Sequence, residues 1–180
     1  MTNYRRARGG DTYFFTVVTH LRRPFLCSDN ARRDLRASIR EVRDTHPFDI
    51  DAWALLPDHL HCIWTLPEGD ADFSIRWALI KRGFTRRATD WLEPLEVCES
   101  RKAKRESGVW QRRFWEHKIR DDRDFSAHCD YIHWNPVKHG LVKTPGDWPW
   151  TTLHRFVREG VYPKGWCDEA VRSSSIGGPE

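Results

Sequence analysis

Two histidines stand one residue apart in the apolar stretch LPDHLHCIWTL, at positions 59 and 61. In a β-strand, residues i and i+2 point to the same face. His59 and His61 would then lie side by side, with Leu60, Cys62 and Trp64 turned the other way. Two such imidazoles are half of a metal site. Hydrogen-bonded histidines of a half-buried strand have the same spacing, and that alternative stays open.

A second group of reactive side chains lies in the stretch DRDFSAHCDYIHWNPVKHG, residues 122–140. Helical spacing places one polar stripe there, made of Asp124, His128, Tyr131 and Asn135. A phenol has a pKa of about 10 and is a poor nucleophile at neutral pH without a cation or a base. Beside a divalent ion, Tyr131 could attack a phosphodiester and form a phosphotyrosine. Away from a metal, it would be an ordinary residue at the rim of an amphipathic helix.

His128 lies one helical turn before Tyr131 and is a candidate for taking or orienting the phenolic proton. An ordinary surface histidine is the alternative interpretation.

The elements that must position these residues follow from hydrophobic periodicity. Strands are predicted over 12–19, 48–56, 59–66 and 109–119. Helices are predicted over 29–45, 74–91 with Ser74 as N-cap, and 122–134. Pro57 and Asp58 favour a tight turn between the second and third strands. Residues 93–107 have charge but no clear period and are predicted to form a loop.

This order predicts an α+β fold, the ferredoxin-like split βαβ arrangement, with a four-stranded antiparallel sheet and two helices on one face. The tyrosine-bearing helix is extra. The histidine-bearing strand would be central in the sheet. We expect one domain over residues 1–150, and a C-terminal extension with a flexible tail over residues 151–180.

Composition favours a nucleic-acid partner without deciding it. The 180 residues include 30 basic and 26 acidic side chains, most of the basic ones are arginine, and ten tryptophans accompany them. Arginine suits phosphate contacts and tryptophan suits base stacking, but a basic composition with core tryptophans explains the same numbers. Candidate phosphate contacts are Arg5, Arg6, Arg8, Arg82, Arg86, Arg87, Arg112, Arg113 and Lys138, with Arg112 and Arg113 placed on the fourth strand.

The five cysteines form no CxxC pair, and neither a signal peptide nor an apolar run long enough to span a membrane is present. We therefore expect a cytoplasmic protein that does not contact membranes, as a monomer or a weak homodimer.

The HUH pattern (histidine, hydrophobic residue, histidine) at 59–61 is followed by VWQRRFWEHKIRDDRDF and DYIHWNPVKHGLV. With these blocks in this order, the chain resembles the REP-associated tyrosine transposases, relatives of the single-tyrosine transposases. The resemblance extends from about residue 4 to about residue 150. It implies an HUH nuclease fold, Mg²⁺ or Mn²⁺ dependence, and cleavage and rejoining of single-stranded DNA at repetitive extragenic palindromes that fold into hairpins. It also implies a protein associated with the nucleoid of a bacterium.

The resemblance further implies that His59 and His61 bind the metal and that Tyr131 is the nucleophile. A polar residue four positions after the tyrosine completes the metal site of single-tyrosine relatives, and here that residue is Asn135. Pro136 disfavours helical geometry at Asn135, which could instead cap a short turn. His128 or Asp124 would then be the substitute ligand.

Two other classes of function are weighed against this one. A non-catalytic DNA-binding or regulatory protein could retain the fold, but the intact His59, His61 and Tyr131 count against it. A structural zinc protein is disfavoured because no thiolate pair accompanies the histidines.

Overall fold

The computed structural model describes residues 10–95, 107–162 and 166. Its strands are β1 (Thr12–Val18), β2 (Asp49–Leu55), β3 (His59–Thr65) and β4 (Trp115–Lys118). Its α-helices are α1 (Asp29–Thr45), α2 (Phe73–Ala88), α3 (Asp122–Lys138) and α4 (Leu153–Arg158). Two short 3-10 turns span His20–Arg22 and Pro145–Asp147. Among the described residues, no helix is both long and apolar enough to cross a membrane.

The four strands form one sheet in the order β2-β3-β1-β4, with every neighbouring pair antiparallel. This confirms the predicted α+β, ferredoxin-like arrangement. β3 is central, between β2 and β1. Its first residues are fixed on both sides, because His59 pairs with Val18 and Leu60 pairs with Leu55.

The sheet separates two apolar cores. On one face, Phe15, Leu60 and Trp64 pack against α1 and α2. On the other face, Phe14 and Ile63 pack against α3 and α4. The alternation of β1 and β3 between these cores follows from the pleat of the strands. The tyrosine-bearing helix α3 therefore lies on the face opposite to the two ferredoxin-like helices.

The fourth strand is shorter than predicted. Only Trp115–Lys118 is strand, and the segment before it makes a single isolated bridge, between Trp110 and Thr19. Thr19 pairs with Trp110, and Thr16 pairs with Trp115. The two pairs are three residues apart on the β1 side but five residues apart on the β4 side. The two extra residues interrupt the ladder. Arg112 and Arg113 thus precede the strand, and their predicted place on it is wrong.

Two helix boundaries also differ from the sequence prediction. α2 begins at Phe73, so Ser74 is inside the helix, and the N-cap is Asp72. α3 does not end at residue 134, but continues through Pro136 to Lys138. Both Asn135 and Pro136 are buried, and the backbone N–H of His139 donates to the carbonyl of Asn135 at 3.0 Å. Packing thus outweighs the hydrogen bond that proline cannot donate, and Asn135 is not an N-cap.

The segment after α3 folds back on the sheet edge. The N–H of Leu55 donates to the carbonyl of Trp150, and the N–H of Thr152 donates to the carbonyl of Trp53. Leu153, Phe156 and Tyr162 then enter the core beneath α3. Most of the tail predicted for the end of the 151–180 extension lies outside the described residues.

A buried polar network joins this segment to α3. His133 is fully buried, with Nδ1 2.8 Å from the Tyr162 hydroxyl and Nε2 2.9 Å from the Thr152 hydroxyl. The Tyr162 hydroxyl donates to Asp130 at 2.9 Å. Burial lowers the pKa of His133 to about 3, so the ring is neutral at physiological pH. The network fixes the rotation of α3 about its axis.

Tyr162→Phe should destabilise the protein by about 1–3 kcal/mol, because it leaves the buried imidazole of His133 and the half-buried carboxylate of Asp130 without their shared partner. Urea unfolding measures the loss. Tyr13→Phe is the matched control, since its hydroxyl donates to Asp11 at 3.2 Å in a less enclosed place, and it should cost less. Equal losses in the two variants would refute the role of the network.

Candidate active site

The two HUH histidines open β3 and point to the face of the sheet that α3 covers. His59 is 3% exposed and His61 is 2% exposed, with their ring centroids 4.9 Å apart. Leu60, Cys62 and Trp64 enter the opposite core. The alternation predicted for this strand is therefore confirmed.

Each histidine has a polar partner on the same ring nitrogen. Nδ1 of His59 lies 2.6 Å from a carboxylate oxygen of Asp58, and Nδ1 of His61 lies 2.8 Å from the hydroxyl of Thr16. Such partners orient metal-binding histidines and leave Nε2 of each ring turned away from them. Both Nε2 atoms are therefore the candidate ligand atoms.

The electrostatics of the site favour neutral imidazole at His61. Burial holds the pKa of His61 well below its ordinary value, and the neighbouring His59, His139 and Lys138 act in the same direction. For Asp58, burial raises the pKa, but hydrogen bonds from His59 and Arg22 outweigh this effect and bring it to about 2. A metal binds the neutral form of an imidazole, which burial favours at His61. The carboxylate of Asp58 orients the neighbouring ring of His59.

Tyr131 lies on α3 beside His61. Its ring centroid is 5.2 Å from that of His61 and 5.9 Å from that of Phe14. A cavity of about 270 Å³ opens here, lined by Thr16, Val18, Arg22, His59, His61, Tyr131, Lys138 and His139. The ammonium of Lys138 is 5.6 Å from the centre of the Tyr131 ring. A candidate nucleophile, two candidate ligands and two cationic side chains thus share one cavity.

Asn135 does not line the cavity and lies buried in an unusual environment. Its side chain is 1% exposed, and within the described chain neither its amide oxygen nor its amide nitrogen makes a hydrogen bond of normal geometry. The amide nevertheless lies close enough to His61 to act on its pKa. A buried carbonyl-type oxygen without a donor is costly, and a cation would satisfy it. The donor set of His59, His61 and Asn135 therefore fits a divalent metal ion.

His128 belongs to a separate cluster one helical turn away. Its Nδ1 is 2.8 Å from the backbone carbonyl of Asp124, and its ring stacks on that of His117 with centroids 4.7 Å apart. Nε2 of His117 is 2.9 Å from the Asp124 carboxylate, so two imidazoles and a carboxylate offer ligand atoms within 4.8 Å of one another. Arg120 also donates to that carboxylate. His128 is not among the residues that line the tyrosine cavity, and its role as base stays a prediction.

The described members of the predicted phosphate-binding set fall into three places. Lys138 lines the cavity. Arg82, Arg86 and Arg87 lie on α2, on the far face of the sheet, and Arg87 is paired with Glu41 of α1. Arg112 and Arg113 are exposed just before β4, and Arg5, Arg6 and Arg8 lie outside the described residues. Apart from Lys138, the described members of this set are not brought to the cavity.

Two histidines at these clusters were missed by the sequence reasoning. His139 contacts His59, with ring centroids 4.9 Å apart, and lies one residue beyond the end of α3. His117 lies on β4 and binds Asp124. For His139, the signal was present in NPVKHG. His139 follows Tyr131 by eight residues, and a helix that continues through Pro136 returns this position to the same face.

Comparison with known proteins places the chain in a family, although no family model matches it. A REP-associated tyrosine transposase of Escherichia coli (strain K12) is 45% identical over 177 residues, which are 97% of this chain and 96% of the relative. This chain belongs to the REP-associated tyrosine transposases. A further relative, from Haemophilus influenzae, is 44% identical over 168 residues, which are 92% of this chain and 93% of the relative.

A solved structure carries the same family name. The structure of a REP-associated tyrosine transposase bound to a REP hairpin is similar to this one, with a TM-score of 0.73 and 45% sequence identity. The match covers 97% of this chain and 96% of the chain in that structure. The resemblance drawn from the HUH pattern and the two downstream blocks is thereby confirmed, as are the fold class and the assignment to tyrosine transposases.

Asp124→Asn should make the free energy of unfolding depend less steeply on pH in acid. Burial raises the pKa of Asp124, but hydrogen bonds from His117 and Arg120 outweigh it and lower the pKa to about 2. The stability that this carboxylate contributes is present above the ordinary aspartate pKa of about 4 and is lost as the pH falls through about 2. The free energy of urea unfolding, measured across this range, should fall less in the variant than in the wild type.

The control for this measurement is Asp44→Asn, which changes an exposed carboxylate on α1. The free energy of unfolding of this variant should fall in acid as steeply as that of the wild type. An unchanged slope in Asp124→Asn would show that the cluster of His117, Asp124 and His128 does not contribute through this carboxylate.

Proposed function

We propose that this chain cleaves and rejoins single-stranded DNA at REP-type hairpins, with Tyr131 as nucleophile and with His59, His61 and Asn135 as ligands of Mg²⁺ or Mn²⁺. The observation that carries the proposal is the Tyr131 ring 5.2 Å from His61, in a cavity that both HUH histidines line. The similar transposase solved with a REP hairpin supports the class of substrate.

The reaction exchanges one phosphate ester for another. The phenolic oxygen of Tyr131 attacks phosphorus, a bond forms between them, and one bridging P–O bond of the DNA breaks. The phenolic proton is lost to a base, and the leaving oxygen takes up a proton to become a DNA hydroxyl. Attack by a DNA hydroxyl on the phosphotyrosine reverses these steps and rejoins a strand, so no energy source is required.

The residues of the cavity divide the remaining tasks. Lys138 and Arg22 supply positive charge near a phosphate that lies against Tyr131. Asp58 and Thr16 orient the two imidazoles, so that Nε2 of each faces away from its hydrogen-bond partner. Phe14 packs edge-on against Tyr131 and holds its ring beside His61.

The metal ligands proposed here are two imidazoles and one amide oxygen. This set leaves coordination positions for phosphate oxygens and water, as Mg²⁺ and Mn²⁺ require. When bound, the ion would offset the charge that develops on the phosphodiester oxygens. Because imidazoles alone favour softer metals, affinity for Mg²⁺ should be weak without DNA.

Tyr131→Phe should abolish the covalent adduct between protein and DNA, because phenylalanine has no oxygen to attack phosphorus. End-labelled hairpin oligonucleotides are incubated with protein and Mn²⁺ and separated on denaturing gels. Tyr13→Phe, which changes a tyrosine of the opposite core, should retain the adduct. An adduct that persists in Tyr131→Phe would overturn the nucleophile, and no adduct from wild type would favour a purely DNA-binding protein.

Thr16→Val should raise the Mn²⁺ concentration for half-maximal cleavage by about 10- to 100-fold, the usual effect of removing a hydrogen bond that orients a ligand histidine. Thr12→Val is a closely matched control, because it lies on the same strand and buries a hydroxyl that bonds to Thr65, not to a histidine. Manganese titrations of cleavage distinguish the two. Equal metal requirements in both variants would remove Thr16 from the site.

A further inference from the structure

The cluster of His117, Asp124 and His128 lies outside the tyrosine cavity and has no part in the proposed reaction. Among the described residues, it is the group of histidine, cysteine and acidic side chains whose potential ligand atoms all lie within 4.8 Å of one another. His117 lies on β4, whereas Asp124 and His128 are four residues apart on α3. Residues at this spacing share one side of a helix, so both can face the strand. We call this group the strand-helix cluster.

The spacing of the potential ligand atoms is close to that around a metal ion. Nε2 of His117 lies 2.9 Å from Oδ2 of Asp124, and Nδ1 of His128 lies 3.1 Å from Oδ1 of the same carboxylate. Around a tetrahedral zinc ion with bonds of about 2.0–2.1 Å, ligand atoms are about 3.3 Å apart. Small outward shifts of the two rings would therefore bring all three side chains to the spacing of zinc ligands.

The hydrogen bonds that now hold the cluster can be exchanged for bonds to a metal. A neutral imidazole carries its single proton on either nitrogen, so Nε2 of His117 offers a lone pair when the proton is on Nδ1. Nδ1 of His128 also lies 2.8 Å from the backbone carbonyl of Asp124. This carbonyl is inside α3, where the helical N–H four residues later is its ordinary partner. The carbonyl therefore tolerates the loss of the imidazole.

The cluster is enclosed by aromatic rings and reaches solvent beside His117. The ring of His117 stacks on that of Trp115 with centroids 5.9 Å apart, and the ring of His128 packs against Phe14 at 4.8 Å. The side chains of Asp124 and His128 are 8% and 9% exposed, whereas that of His117 is 27% exposed. An ion can thus enter beside His117 and meet ligands that packing holds in place.

The chemistry of the three side chains favours a borderline divalent ion. Two imidazoles and one carboxylate are ligands that Zn²⁺ takes readily, with water in the fourth position, whereas Mg²⁺ prefers oxygen ligands. The carboxylate of Asp124 also supplies a negative charge, which the amide of Asn135 does not supply beside the HUH histidines. An ion in the strand-helix cluster therefore needs no phosphate, and its binding should not require DNA.

Arg120 competes with an ion for the same carboxylate. Its backbone N–H and its Nε donate to Oδ2 of Asp124 at 3.0 Å and 3.2 Å. The side chain of Arg120 is 76% exposed, so its guanidinium can turn into solvent when an ion binds. The backbone bond can stay, and it orients the carboxylate.

We propose that His117, Asp124 and His128 bind a Zn²⁺ ion that links β4 to the first half of α3. The proposal does not rest on the proposed function, because none of the three residues lines the tyrosine cavity. It gives His128 a role other than the predicted one as base for Tyr131. Since Phe14 packs against both His128 and Tyr131, the ion would also restrain the surroundings of the nucleophile.

Zinc binding is measured on the metal-free full chain, without DNA and in excess Mg²⁺, by competition with a chromophoric chelator. His117→Ala should remove one equivalent of bound Zn²⁺, because two remaining side chains hold the ion weakly. His154→Ala is the matched control, since it removes an exposed histidine outside the cluster, and it should keep the wild-type number of equivalents. Arg120→Ala should bind Zn²⁺ at least as tightly as the wild type, because a competing cation is gone.

His59→Ala with His61→Ala separates this site from the HUH histidines. The double variant should keep the equivalent that His117→Ala removes, and adding His117→Ala to it should abolish that equivalent. Equal zinc binding by the wild type and His117→Ala, or weaker binding by Arg120→Ala, would overturn the proposal.

Circular dichroism checks that each variant is folded, and wild-type crystals decide the matter if the double variant is not. Anomalous scattering at the zinc edge locates the ion in crystals soaked in Zn²⁺. A peak within bonding distance of His117, Asp124 and His128 supports the site. Zinc bound only beside His59 and His61, or no bound zinc, would refute it.

Discussion

The register of β3 is the constraint on which the rest of this structure depends. Both histidines reach the α3 face only because His59 pairs with Val18 and His61 with Thr16. A slip of one residue would turn both imidazoles into the core beneath α1 and α2 and would place Leu60 and Cys62 in the cavity. Two neighbouring strands and burial on both faces prevent this slip, because Trp64 and Phe15 fill the opposite core.

The tyrosine is held by different means. α3 has no strand partner, and its position comes from side-chain packing of Cys129 and Ile132 and from the bonds of His133 to a segment distant in sequence. Strand pairing therefore holds the pair of histidines, whereas side-chain contacts hold the helix that carries Tyr131.

The sequence allowed the strand alternation at 59–65, the helix at 29–45 and the start of the tyrosine helix to be predicted, because each has a clear period of local origin. It did not reveal that α3 passes through Pro136, since the packing that stabilises this turn comes from distant residues. The interruption before β4 depends on a mismatch between two strands that neither segment encodes alone. Likewise, the polar partners of His128 and His133 are set by tertiary packing that spacing along one helix does not report.

The two cores differ in the order in which their residues leave the ribosome. The buried residues of the core beneath α1 and α2 end at Trp110, with Phe114 and Trp150 packed against them, whereas the core beneath α3 requires Leu153, Phe156 and Tyr162. Chains fold from the N-terminus as they are synthesised. The residues that complete the core beneath α3 are therefore synthesised after all four strands, and the site cannot be complete until they have been translated.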